Sequence, residues 1–187
     1  MRRIEDPRIR FYLEHEEQIK EWADIKGEAH ALADSFYRSL QPTLRRELEA
    51  RESKSDVESF IEDDGGDPTW PTIGLRRRSW SKDDGDPDVR LQWHRRNTGF
   101  GSGWGPYCGV RAHQERHGQF FASCKESYPK TSPMWRYREI DVRDGRPERY
   151  WEADSLGEYR QFLIDELLRA WRDFAPLIDK AVGSDAK

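Results

Sequence analysis

Two cysteines, Cys108 and Cys124, are the only thiols in 187 residues. A single bridge is possible on spacing, but a chain of this length folds without one, so no disulfide framework is implied. Both residues fit a reduced chain as small hydrophobes. Long apolar runs are missing too. No stretch approaches about 20 apolar residues, which argues against a membrane span. The opening segment MRRIEDPRIRFYLEHEE has basic residues with no apolar run behind them, unlike a secretory leader. The expectation is a cytoplasmic protein. Apolar residues are scarce at 35%, and charged residues abundant at 36%. Disorder is nonetheless excluded, because eight Trp, eight Phe and seven Tyr can each bury a large area.

The net charge of −4 is unevenly placed. Residues 1–71 carry 11 Lys/Arg against 18 Asp/Glu, residues 72–150 carry 16 against 10, and residues 151–187 carry 5 against 8. This acidic–basic–acidic layout has two readings. The basic middle either packs beside the acidic ends or faces an anionic partner.

Asp6–Pro7 is a helix start, with Asp as cap and Pro at the first helical position. Phe11, Tyr12, Ile19, Trp22, Ile25, Ala29, Leu32, Phe36 and Leu40 then trace one helical stripe. Pro42 interrupts it, and a shorter helix follows through Leu44 and Leu48. Glu14, Glu17, Glu21, Asp24, Glu28 and Asp34 form a solvated opposite face. Strand runs are read at Val57–Ile61, Thr72–Trp80, Asp88–Arg96, Tyr107–Gln114 and Met134–Val142, with Glu148–Trp151 returning across Asp144–Gly145. Phe120, Phe121 and Cys124 fit one side of a short helix over 115–126. A long helix begins near Asp154; Leu156, Tyr159, Leu163, Leu167, Trp171, Phe174 and Ile178 mark its buried side, and Pro176 falls in its last turns. The order predicts an α+β fold: one domain over 1–187, helical over 7–53, with an antiparallel sheet of four to five strands over 57–151. A long N-terminal helix and a long C-terminal helix (154–182) pack on one face.

Strand alternation sorts the side chains. Val89, Leu91 and Trp93 point one way with Cys108, Val110, Ala112, Ile73 and Leu75. Arg90, Gln92, His94 and Arg96 point the other way, with Tyr107, Arg111 and His113. Arg76, Arg78 and Trp80 join them from the first run. The run Met134–Val142 shows no clean alternation. A basic, aromatic sheet face is the candidate site, comprising Arg76, Arg78, Trp80, Arg90, His94, Arg96, Tyr107, Arg111 and His113, with Trp104 from the adjoining loop. Arginine beside aromatics suits phosphate contact with base stacking. It equally suits a solvent face covered by Arg stems.

Other chemistry finds less footing. In Gly99–Gly105 a G-x-G-x-x-G pattern would need glycine where Trp104 or Pro106 stands, and no G-K-[ST] follows. The acids of residues 62–68 lack calcium-loop spacing. His113-x₃-His117 has zinc-like spacing, yet Cys108 should point away from His113, so no metal or cofactor is implied. Neither cysteine sits in a nucleophile signature.

The succession of a long acidic helix, WPTIGLRRRSW, a strand ending in LQWHR, GPYCGV and a C-terminal helix resembles a small α+β domain of unknown function. That domain accompanies PD-(D/E)XK-type nucleases in bacterial defence systems. The resemblance covers roughly residues 70–180. The nuclease signature does not carry over. Asp88 precedes Gln92-Trp93-His94, which supplies neither acid nor lysine, and Asp24-Ile25-Lys26 lies within a helix.

Three functions follow. The first is a non-catalytic binding or accessory domain that contacts nucleic acid or an acidic partner through the sheet face. The second is a small enzyme using His94 or His113 as acid or base in a pocket. The third is a structural interaction module.

Overall fold

A computed structural model of the chain describes residues 6–51, 56–63, 69–80, 87–95, 105–112, 125–140 and 156–185. Three helices come first: α1 (Pro7–Glu14), α2 (Glu16–Arg38) and α3 (Leu40–Arg51). Six strands follow: β1 (Val57–Asp63), β2 (Pro71–Arg77), β3 (Asp88–Gln92), β4 (Tyr107–Arg111), β5 (Lys130–Ser132) and β6 (Trp135–Glu139). A long helix, α4 (Leu156–Asp185), ends the series. The α+β class and the antiparallel sheet are as the sequence predicts, with one more strand than the four to five expected. The strand expected over 148–151 and residues 115–124 of the helix expected over 115–126 lie outside the described residues, and Lys125 and Glu126 stand in a turn.

Asp6 caps α1, its Oδ1 accepting from Arg8 N at 2.9 Å. The helical stretch breaks at His15 and Ser39, and not at Pro42. Pro42 is the third residue of α3, where a backbone N–H has no intrahelical acceptor, so its absence costs nothing. Ser39 closes α2 with its hydroxyl on Phe36 O at 2.6 Å.

The strands run in the order β1-β2-β3-β4-β6-β5, every pair antiparallel. One face carries the helices. There Ile73, Leu75, Val89, Leu91, Trp93, Cys108 and Val110 join Leu44 and Leu48 of α3 and Leu163, Leu167, Trp171, Phe174 and Ile178 of α4 in one apolar cluster. Each such side chain contributes about 1.5–3 kcal/mol by leaving water. Pro176 lies inside α4. Polar clamps tie the layers. Trp93 Nε1 donates to Asp34 Oδ1 at 2.9 Å, and Asp34 also holds Arg38 at 2.9 Å. The Tyr37 and Tyr159 hydroxyls meet at 3.0 Å within the core. Tyr128 donates to Asp173 at 2.9 Å.

The strands end sooner than alternation suggested. β2 stops at Arg77 and β3 at Gln92, which changes where the residues beyond them point. The N-terminal stripe is also corrected. Only its last part is buried, at Phe36 and Leu40, with Ala33 and Tyr37 beside them. Phe11, Trp22, Ile25 and Leu32 stand in solvent. No helix among the described residues is long and apolar enough to cross a membrane.

Candidate functional site

The other face, helix-free among the described residues, is ordered by the strand register. One row reads Phe60, Gly74, Arg90, Gly109, Tyr137 and Lys130 across all six strands. A second reads Glu62, Thr72, Gln92, Tyr107 and Glu139. A third brings Asp88, Arg111, Trp135 and Ser132 together. Thus Arg76, Arg90, Tyr107 and Arg111 share one face, as predicted.

Glycine on either side of Arg90 sets the centre of this face. A Cβ on Gly74 would stand 2.1 Å from the Phe60 ring. The missing side chain lets that ring lie over the strand, close to two guanidiniums. Arg76 sits 4.5 Å from its centroid and Arg90 5.5 Å, while Arg90 is 5.6 Å from the Trp135 ring. Arg90 was expected to face solvent and does not, at 0% exposure. Aromatic rings flank its guanidinium, which the carboxylate of Asp88 grips, with Glu62 Oε2 at 3.4 Å. A buried guanidinium needs such partners, since unpaired burial of charge is prohibitive.

Two other cations are matched as well. Arg76 Nε donates to Glu58 at 2.6 Å, and Lys130 reaches Glu139 at 2.5 Å. Four carboxylates, Glu58, Glu62, Asp88 and Glu139, share this face with Arg76, Arg90, Arg111 and Lys130. Among the described residues, cations and carboxylates on this face are therefore equal in number. Its distinctive feature is a chain of rings, packed edge to face except for a tilted Trp70–Tyr107 contact. Trp70 meets His94 at 4.4 Å and Tyr107 at 6.0 Å; Tyr107 meets Tyr137 at 5.4 Å, and Tyr137 meets Trp135 at 6.2 Å. All five rings are half-buried. Burial, with Glu139 nearby, raises the Tyr107 hydroxyl above its ordinary range.

Several expected members sit elsewhere. Trp80 lies past the end of β2, where the chain turns under the sheet with Trp80 N on Arg77 O at 3.1 Å. It is a core residue on the helix side, its Nε1 donating to Asp179 at 2.9 Å and its ring 5.3 Å from Trp171. Arg78 is exposed in the same turn, off the sheet face. His94 follows the end of β3 and joins the rings through Trp70. Arg96, Trp104 and His113 lie outside the described residues, as does Cys124.

Four aromatic members escaped the sequence reading: Phe60, Trp70, Trp135 and Tyr137. β6 showed no phase because its polarity is inverted. Trp135 and Tyr137 take the helix-free face. Arg136 is buried on the helix side, and Arg138 there pairs with Glu166 of α4. An apolar-in rule cannot see such a strand; an acid on the buried side of α4 was the available signal.

Cys108 is a free thiol on the helix side, within reach of Glu166 O at 3.6 Å. Burial pushes it up to about 12, which leaves no thiolate for nucleophilic work. Among the described residues no three His, Cys, Asp or Glu side chains gather into a metal-binding group. No protein-family model, curated protein or solved structure matches the chain.

Proposed function

We propose that the chain is a non-catalytic binding module whose helix-free sheet face takes single-stranded nucleic acid by stacking. The ring chain from Trp70 through Tyr107 to Tyr137 carries this reading, because half-buried rings on a sheet offer unpaired bases a sequence-tolerant aromatic surface. The paired cations shape the expected behaviour. Arg76, Arg90 and Lys130 already hold carboxylates, so few phosphates are neutralised and few counterions released. An acidic protein surface, which needs unmatched positive charge, fits the same face less well. An enzyme built on His94 has less support, since that ring rests edge-on against Trp70. An accessory role beside a defence nuclease belongs to the same proposal, resting on the resemblance of residues 70–180.

The test is fluorescence anisotropy of labelled single-stranded DNA and RNA, titrated with protein at several salt concentrations. Binding is expected, with affinity falling by a slope of roughly one in log–log salt. Tyr107→Ala and Trp70→Ala should each weaken it by roughly tenfold. Absence of binding to both polymers at low salt would sink the proposal, and so would a steep slope indifferent to both substitutions.

A further inference from the structure

The exposed part of α2 has a periodicity that the fold of one chain does not use. Gln18, Trp22, Ile25, Ala29 and Leu32 follow one another at alternating steps of four and three residues, ending at Phe36, which enters the core. That is a heptad seam, and Trp22, Ile25 and Leu32 are 62%, 56% and 69% exposed along it. A helix that leaves its apolar stripe in water is a helix awaiting a partner.

The charges beside the seam say which partner. With Trp22 and Ala29 at the first core position of each heptad, Glu21 and Glu28 line one flank. Lys26 stands between Ile19 and Ala33 on the other. In a parallel pair, each left-flank residue faces the right-flank residue five positions on in the other helix. Glu21 then meets Lys26 of a second copy, and symmetry makes the contact twice. In an antiparallel pair the left flanks face each other, and Glu21 and Glu28 of one copy would meet the same carboxylates of the other. We infer that α2 associates with α2 of a second copy of this chain as a parallel two-stranded coiled coil. The seam runs from Gln18 to Leu32, and its two-fold axis lies along the helices. A two-fold seam uses the same patch on both copies, as a closed dimer requires. The sheet face lies on different elements and stays available in each copy, so this inference stands independently of the proposed function.

The test is sedimentation equilibrium of the full chain across a concentration series, with circular dichroism as a folding control. A monomer–dimer equilibrium is expected. Ile25→Glu/Leu32→Glu should be monomeric while retaining the sheet signal. Lys26→Glu, on an exposed position that cannot unfold the core, should weaken dimerisation by roughly tenfold. Adding Glu21→Lys to it should restore the association. Ala29→Cys should oxidise to a covalent dimer under conditions that leave the parent uncrosslinked, since that position faces itself only in a parallel pair. A chain monomeric throughout the series overturns the inference. So does a dimer indifferent to Ile25→Glu/Leu32→Glu, or one that Ala29→Cys fails to crosslink.

Discussion

The carboxylate of Asp88 and the guanidinium of Arg90 meet on the helix-free face although no helix covers them, and both residues are buried. They lie two positions apart on one strand, so alternation puts them side by side, and the Phe60 and Trp135 rings roof the pair. Removing one partner leaves the other charge buried and uncompensated. Asp88→Ala should therefore lower stability by about 3 kcal/mol, whereas Asp88→Ala/Arg90→Leu should lose clearly less than the two single changes added together. Urea unfolding of the three variants checks this; simple additivity would show that the pair is not coupled.

Gly109 faces a less yielding neighbour than Gly74 does. A Cβ there would stand 2.1 Å from Arg136 O and 2.7 Å from Tyr137 Cα, both backbone atoms of the adjoining strand. At Gly74 the obstacle is a side-chain ring that can rotate. Gly109→Ala is expected to cost more than about 3 kcal/mol and Gly74→Ala appreciably less. Thermal unfolding midpoints rank the two, and the reverse order would refute the close packing of β4 on β6.

Three buried acids set the response to alkali. Burial raises the Cys108 thiol from its ordinary 9.0 to about 12, and burial likewise lifts the Tyr37 and Tyr128 phenols above their ordinary 10.0. Each holds its proton more tightly in the folded chain than in the unfolded one. Their contribution is thus complete below pH 9 and drains away as pH rises toward 12, by about 1.4 kcal/mol per pH unit for each group that ionises only on unfolding. Denaturant midpoints should fall steadily between about pH 9 and about pH 12, with Cys108→Ala flattening the first part of the fall. A midpoint constant over that range would falsify this account.

Gly27 sits mid-helix in the exposed part of α2, and a Cβ there meets nothing within 4 Å. Glycine at such a position costs about 1 kcal/mol relative to alanine. Gly27→Ala should slow amide exchange through the surrounding turns by roughly fivefold while leaving the global unfolding midpoint nearly unchanged. The position lies away from the heptad seam, so any tightening of self-association would come from helix order alone.

The helix-side core was readable because Ile73, Leu75, Val89, Leu91, Cys108 and Val110 obey a period of two and α4 a period of 3.6. The chain closes on them as alternation predicts. The opposite face was half readable. Arg76, Arg90, Tyr107 and Arg111 fall where their phase puts them, but phase does not report depth. Nothing in the local pattern shows that Arg90 would be roofed by Phe60 from β1 and Trp135 from β6, because those contacts join residues far apart in sequence. Trp80 was misplaced for a simpler reason: strand parity ceases to apply once the backbone turns, and the turn after Arg77 carries no proline or glycine to announce it. The reach of α2 beyond the core was not legible either. An apolar helical stripe has the same form whether it will meet its own sheet or another molecule.

The cover for the middle of the sheet comes from α4, which rests on β3 and β4. In the order of synthesis every strand precedes it. A nascent chain therefore exposes Val89, Leu91, Cys108 and Val110 as a bare apolar sheet until the last thirty or so described residues leave the ribosome. Chains released before α4 is complete should aggregate and be captured by chaperones, whereas losses confined to α1 should leave the sheet able to close.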